Sequence, residues 1–114
     1  YFLRIGETGQ SDTLELFRQS GNSVTKILTG LTAFKSTTQA SIKVTLDTSG
    51  NWSLYVDPNG GTNYIYEGST IDNVHVSTGY FGVYCKYSTT SRFNQYFFDD
   101  FNSIIPFIYG SSLY

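Results

Sequence analysis

The adjacent carboxylates Asp99 and Asp100 are the most conspicuous acidic pair in the sequence. They end an aromatic, strand-like run, and neighbouring residues of a strand point to opposite faces of a sheet. The two side chains therefore cannot act on one substrate as a catalytic dyad. The pattern favours one solvated aspartate and one that is hydrogen-bonded to a turn. A Ca²⁺ site is the alternative, because Ca²⁺ takes several oxygen ligands and strand ends can supply them.

Other catalytic arrangements lack the partners they require. Glycoside hydrolysis needs two carboxyl groups about 5–9 Å apart, yet Glu7, Glu15 and Glu67 stand isolated in the sequence. A nucleophilic Cys85 would need a base, and the only histidine is His75. We therefore expect no catalytic site. Cys85 is predicted to be a small buried residue, and His75 a surface or hydrogen-bonded one.

Tyrosines supply the set of side chains whose type favours ligand binding. Aromatic rings stack on sugar rings, because the C–H face of a sugar pairs well with a π-face. A structural alternative stays open, in which outward tyrosines cover a sheet or pack under a further segment. The candidate ligand-binding residues are Tyr55, Tyr64, Tyr66, Tyr80 and Tyr84.

Strand-length runs separated by short turn clusters must position these side chains, a pattern typical of a β-sandwich or barrel. In residues 41–59, apolar and polar side chains alternate on both sides of Thr48-Ser49-Gly50, which predicts an antiparallel hairpin with one buried face. A turn at residues 57–61 ends this hairpin. No stretch has a sustained 3.6-residue period, so almost no helix is expected. The other predicted strands are 1–5, 13–19, 23–28, 63–67, 79–86 and 93–101, with a loop from 68 to 72.

Length and charge exclude several function classes. The 114 residues are enough for one small domain. The formal net charge is −2 and the seven Lys and Arg residues are scattered, so neither nucleic-acid binding nor docking to anionic lipid is expected. No apolar run approaches the ~20 residues that span a bilayer, and no signal-peptide pattern occurs. Because the chain starts at Tyr1 inside a strand-like run, we expect a processed or partial chain.

Several motifs follow one another in an order that resembles a known domain family. They are Tyr1-Phe2-Leu3-Arg4-Ile5-Gly6-Glu7, Leu14-Glu15-Leu16-Phe17-Arg18-Gln19, Lys43-Val44-Thr45, Gly50-Asn51-Trp52-Ser53-Leu54-Tyr55, Gly79-Tyr80-Phe81-Gly82-Val83-Tyr84-Cys85-Lys86-Tyr87 and Phe97-Phe98-Asp99-Asp100-Phe101. In order and spacing they are similar to the C-terminal portion of a concanavalin A-like (laminin-G-like) jelly roll. Such domains occur in large secreted surface proteins of Bacteroidetes-type bacteria. The resemblance covers about residues 1–101.

The resemblance implies an all-β fold, an antiparallel jelly-roll sandwich that is incomplete at its N-terminus. Residues 102–114 would then be a tail or a linker to a following module. It also implies export by the type IX secretion system, followed by an extracellular life at the cell surface. It carries over no catalytic residues.

The expected function is accordingly a non-catalytic module that binds carbohydrate or mediates adhesion within a large secreted protein. The alternative is a structural spacer or cargo fragment, bound to a type IX secretion or other outer-membrane assembly. A glycoside hydrolase is the least favoured function. Expected partners are glycans and the chains or modules that complete the sandwich, with no nucleic acid and no membrane insertion.

Overall fold

The computed structural model describes residues 1–5, 13–34 and 39–76, which belong to one compact unit, Tyr1–Val76. Every regular element in these ranges is a β-strand, so the described part of the chain confirms the all-β prediction. The strands are β1 Phe2–Ile5, β2 Leu14–Ser20, β3 Ser23–Thr29, β4 Ser41–Leu46, β5 Asn51–Asp57 and β6 Ile65–Ile71. Within the described residues, no helix has the length and apolar character needed to cross a membrane.

The six strands form two antiparallel sheets of three strands, in the orders β1-β2-β3 and β4-β5-β6. Neighbouring strands in each sheet follow one another along the chain, which is common for antiparallel strands. The predicted strands at 79–86 and 93–101, and the predicted boundary after residue 101, lie outside the described residues.

The β4–β5 hairpin is antiparallel and turns at the predicted residues. Its apolar residues lie opposite one another in the pairs Ile42–Val56, Val44–Leu54 and Leu46–Trp52. The turn is held by Asp47, whose Oδ1 accepts hydrogen bonds of 2.9 Å from the N–H groups of Ser49 and Asn51. Period-two alternation thus predicted both the pairing and the shared apolar face.

Side chains from both sheets form a common hydrophobic cluster. Leu14 and Leu16 of β2 meet Leu54 and Val56 of β5, and Phe34 joins them from the segment after β3. These leucines and the valine are almost completely removed from solvent. Burying each such side chain stabilises the fold by roughly 1.5–3 kcal/mol, so this cluster is the main energetic link between the sheets.

Strand β6 extends further than predicted, because the chain passes through a β-bulge at Glu67 and Gly68 and then continues in the sheet. Leu54 lies opposite Gly68 and Tyr55 lies opposite Tyr66, so Glu67 is the extra residue between them. Gly68 has a φ of 146°, which a glycine adopts without steric cost. Pairing resumes at Ser69. The predicted loop from 68 to 72 was therefore wrong for residues 68–71.

A second bulge lies in β3, where Leu16 is opposite Leu28 and Phe17 is opposite Lys26. Ile27 is consequently the extra residue. The two bulged strands, β3 and β6, are edge strands of their sheets and lie close to each other. Leu28 occupies the space beside Gly68, since its Cδ1 would lie 3.2 Å from a Cβ built on that glycine.

Candidate functional site

One face of the β4-β5-β6 sheet brings together three of the five tyrosines that were predicted to bind a ligand. Leu54 and Val56 point into the core, so Tyr55 between them points to the opposite face. Tyr66 lies opposite Tyr55, with the ring centroids 5.6 Å apart and the planes at 63°. Tyr64 and Tyr66 are 37% and 52% exposed. We call this surface the tyrosine face; its residues are Lys43, Ser53, Tyr55, Tyr64, Tyr66 and Ser69.

A lysine ammonium group lies over two of the rings. Lys43 of β4 is opposite Tyr55 in the register. Its Nζ is 5.2 Å from the ring centroid of Tyr55 and 5.7 Å from that of Tyr64. The negative π-face attracts a cation at this distance, worth about 0.5–1 kcal/mol at an exposed position. The attraction holds the charge of Lys43 within the tyrosine face.

A row of hydroxyl groups runs beside the rings. The hydroxyl of Tyr66 donates a 2.6 Å hydrogen bond to Ser69 Oγ, and Ser69 Oγ lies 2.8 Å from Ser53 Oγ. Residues three apart on a regular strand point to opposite faces, but the bulge at Gly68 places Tyr66 and Ser69 on the same one. Ser53 is buried, whereas Tyr66 and Ser69 are exposed. Hydroxyl groups both donate and accept, so the exposed end of this row matches the hydrogen-bonding character of sugar hydroxyls.

A buried carboxylate fixes the loop that leads into the tyrosine face. Asp57 accepts hydrogen bonds of 2.9 Å from the N–H groups of Asn59 and Asn63. The N–H of Gly60 donates to the Asp57 carbonyl at 3.2 Å, which confirms the predicted turn. The hydrogen bond from Asn59, followed by that from Asn63, lowers the pKa of Asp57 below its ordinary value. The ionised side chain thereby sets the backbone position of the residue before Tyr64.

A second polar cluster, centred on Asp72, joins the two sheets, and no local sequence pattern predicts it. Asp72 Oδ1 accepts a 2.5 Å hydrogen bond from the Tyr1 hydroxyl, and Oδ2 is ion-paired with Arg18 of β2. The indole N–H of Trp52 donates to the Asp72 carbonyl at 3.1 Å. The rings of Tyr1 and Trp52 lie 4.5 Å apart between centroids.

The charge states of this cluster follow from its contacts. Burial alone would raise the pKa of Asp72, but hydrogen bonds from Tyr1, Val74 and Arg18 lower it overall. Burial, and then the hydrogen bond to Asp72, raises the pKa of Tyr1. Asp72 is therefore a carboxylate and Tyr1 a neutral phenol at neutral pH. Asp72 thus forms an ion pair with Arg18 and accepts a hydrogen bond from Tyr1, and both contacts stabilise the fold.

His75 is exposed and hydrogen-bonded, as predicted. Its Nε2 lies 2.9 Å from Ser20 Oγ and 3.1 Å from the carbonyl oxygen of Gln19. A carbonyl oxygen only accepts hydrogen bonds, so the contact with Gln19 places a proton on Nε2. That nitrogen then acts as a donor, and in this arrangement it does not serve as a base for the Ser20 hydroxyl.

The remaining candidates, Tyr80, Tyr84, Asp99 and Asp100, lie outside the described residues, as does Cys85. Among residues 1–5, 13–34 and 39–76, no group of three or more His, Cys, Asp or Glu side chains could hold a metal ion. The Ca²⁺ site at Asp99 and Asp100 therefore stays a prediction.

Comparisons with family models, with curated proteins and with solved structures found no match to this chain. Similarity therefore assigns neither a family nor a function. The tyrosine face and the Asp72 cluster are defined by their own contacts, and a function has to be argued from them.

Proposed function

We propose that this chain is a non-catalytic binding module of a secreted, extracellular protein, and that its tyrosine face binds carbohydrate. The observation that carries the proposal is the grouping of three tyrosine rings and a row of hydroxyl groups on one sheet face. Rings bind the C–H faces of sugars, while hydroxyl groups bind the sugar hydroxyls. These are the two kinds of contact that a carbohydrate site requires.

The exposure of the rings supports weak binding spread over several contacts. Tyr66 is more than half exposed, and its tilt relative to Tyr55 leaves much of the ring accessible. A favourable aromatic contact contributes about 0.5–1.5 kcal/mol beyond the area that it buries. Two or three such contacts give modest affinity for a single sugar chain, so we expect binding to rise with the number of modules on one polymer.

The state of the acidic residues supports a function without catalysis. A glycosidase acid must be able to exchange a proton with the substrate, whereas the carboxylates in the described ranges are engaged with the chain itself. The acidic residues that accept such hydrogen bonds are Glu15, Asp47, Asp57, Glu67 and Asp72. Asp57 and Glu67 bind backbone N–H groups and so hold loops in place.

The finer fold assignment belongs to the same proposal. Two antiparallel sheets with one common core are the layers from which a concanavalin A-like jelly roll is built. The order of the sequence motifs supports that assignment. The same resemblance supports export by the type IX secretion system and a location at the cell surface. A carbohydrate-binding or adhesive module is a function that suits such a location.

The test is a binding screen of the full chain against immobilised polysaccharides, followed by affinity electrophoresis with any that bind. Tyr66→Ala is expected to weaken binding about tenfold or more, since it removes an exposed ring. Val24→Ala is the control, because Val24 is 51% exposed on β3 of the other sheet. Absence of binding to every polysaccharide, or equal affinities for Tyr66→Ala and the parent chain, would overturn the proposal.

A second candidate function is a structural spacer or cargo fragment within a type IX secretion or other outer-membrane assembly. Val44 and Leu46 favour it, because they share the core-facing side of the sheet with Leu54 and yet are 39% and 45% exposed. Covering apolar surface gains roughly 25 cal/mol per Å², so another module that completes the sandwich would be stabilised there. Native mass spectrometry of the purified natural protein tests this function: a lone species of 12.8 kDa contradicts it, and a larger complex supports it.

A further inference from the structure

We infer that the tyrosine face selects anionic polysaccharide, of the uronate or sulfated class, with Lys43 as the counter-charge. This inference rests on the proposed carbohydrate-binding function and names the substrate class of the same site. It depends on how the positive charges of the described residues are used.

Four Lys and Arg residues fall within the described ranges, and three of them are ion-paired with buried carboxylates. Arg4 and Lys26 both pair with Glu15. Arg18 pairs with Asp72. Lys43 forms no ion pair with any described residue, and its ammonium lies over tyrosine rings instead. Among these four side chains, the one without a carboxylate partner in the described ranges is thus the one on the candidate site.

The nearest acid along the sheet does not neutralise this charge by direct contact. Asp57 is two residues beyond Tyr55, the register partner of Lys43. Its two carboxylate oxygens are each taken by a backbone N–H, from Asn59 and Asn63. The tyrosine rings attract the ammonium without cancelling its charge, so its N–H groups can still bind an anion.

The position of Lys43 relative to the rings sets the shape of the ligand. A sugar that packs against Tyr64 beside Lys43 would bring a substituent of its ring within reach of Nζ, which lies 5.7 Å from the Tyr64 centroid. A carboxylate or sulfate there forms a charge-assisted hydrogen bond, which is roughly twice as strong as a neutral one. A neutral hydroxyl at the same place gains less, and discrimination follows from that difference.

The whole chain does not favour polyanions, which makes the inference specific. The formal net charge is −2, so long-range electrostatic attraction would not concentrate a negatively charged polymer on the protein. Any preference for an anionic ligand must therefore come from a local contact. Lys43 is the described residue that can provide it on the tyrosine face.

The decisive experiment compares polygalacturonate with the same polymer fully methyl-esterified, using the full 114-residue chain. The two probes share a backbone and differ in charge. The chain is expected to bind polygalacturonate about three- to tenfold more tightly at low salt, with the preference shrinking at about 0.5 M salt. A second arm compares dextran sulfate with dextran, which separates the sulfated class from the uronate class.

Variants assign the preference to one side chain. Lys43→Gln is expected to abolish the difference between charged and neutral polymers, because binding to the charged polymer falls to about the level of the neutral one and binding to the neutral one falls by less. Lys43→Arg should retain the preference. Lys26→Gln is the matched control, because it removes the same charge from the other sheet, and it should retain the preference as well.

The outcomes separate this inference from the proposed function. Equal binding of charged and neutral polymers in both arms, or a preference that survives in Lys43→Gln, overturns the inference and leaves carbohydrate binding standing. Failure to bind any of these polymers, or any in the wider screen, overturns both. A preference in one arm that is lost in Lys43→Gln supports the inference and identifies the anion class.

Discussion

The hydroxyl of Tyr1 donates a 2.5 Å hydrogen bond to Oδ1 of Asp72, a residue 71 positions further along the chain. Tyr1 precedes β1 and Asp72 follows β6, so this bond joins the two sheets at one end of the core. Hydrophobic packing is non-directional, whereas a hydrogen bond requires particular distances and angles. The Asp72 cluster therefore constrains the relative position of two layers that the apolar core holds together.

Replacing Tyr1 by Phe should lower the free energy of unfolding by about 2 kcal/mol, since it removes the hydrogen bond to the buried Asp72 carboxylate and the 3.2 Å hydrogen bond that the hydroxyl accepts from the His75 N–H. The ring remains and can keep its contact with Trp52. Urea denaturation followed by tryptophan fluorescence measures the change. Tyr64→Phe is the control, because this tyrosine is exposed and should change stability by less than about 0.5 kcal/mol. Equal losses in the two variants would contradict a special role for the Tyr1 hydroxyl.

Stability should fall in acid as Asp72 is protonated. Its pKa is lowered in the folded chain and is about 3.9 in an unfolded one. Between these two values the unfolded chain binds more protons, so the free energy of unfolding rises with pH there. The contribution is complete above about pH 4 and is lost as the pH falls through the lower, folded value.

The measurement for this prediction is urea unfolding at intervals from pH 2 to pH 7. The parent chain should lose stability more steeply below about pH 4 than Asp72→Asn, which cannot titrate at this position. Glu15, whose pKa is also lowered, by Lys26 and then by Arg4, titrates in both proteins. Parallel curves for the two proteins would show that Asp72 makes no pH-dependent contribution.

Gly50→Ala should destabilise the fold by about 3 kcal/mol, from two causes that a matched variant separates. Gly50 has a φ of 82°, and a Cβ there would lie 2.7 Å from the Cβ of Asn73. Gly21 has a φ of 60° and no atom within 4 Å of the same position, so Gly21→Ala should cost only about 1 kcal/mol of backbone strain. Thermal and urea unfolding of both variants measure the loss of stability. Equal losses would mean that Asn73 moves away from the new Cβ without a measurable loss of stability.

Leu54→Ala should cost about 3–4 kcal/mol, because the side chain is fully buried in the cluster shared by both sheets. Leu46→Ala, on the same face of the sheet in β4, should cost less than about 1 kcal/mol because Leu46 is exposed. Chemical denaturation measures both. A large loss in Leu46→Ala would indicate that something covers the β4 side of the core in solution.

The sequence was sufficient to predict structure where apolar and polar residues alternate along a strand. It predicted the β4–β5 hairpin, the burial of Leu54 and Val56, and the outward direction of Tyr55. Strand pairing then brought Tyr66 beside Tyr55, which a pattern within one strand cannot specify. Alternation therefore placed Tyr55 on the outer face of the sheet, and the register brought Tyr66 beside it.

The sequence was insufficient where function depends on contacts between distant residues. Nothing in the neighbourhood of Asp72 marks it as the partner of Tyr1 and Arg18, because hydrogen bonds between sheets leave no local pattern. Glu67 was interpreted as an isolated acid, and in the fold it accepts hydrogen bonds of 2.6 and 2.7 Å from the N–H groups of Leu31 and Thr32. Such roles are set by the packing of one sheet on the other.

The extra residue in β6 has a consequence for how such chains can change. Before the bulge the even-numbered side chains point to the outer face, and after it the odd-numbered ones do. Tyr66 and Ser69 therefore share a surface. Exchange of either side chain alters a contact, whereas deletion of one residue at the bulge would invert the orientation of every position beyond it. The spacing between these two residues is therefore a stricter requirement than the identity of either, and a chain that kept the composition of β6 but lost one position would turn half of its outer surface toward the core.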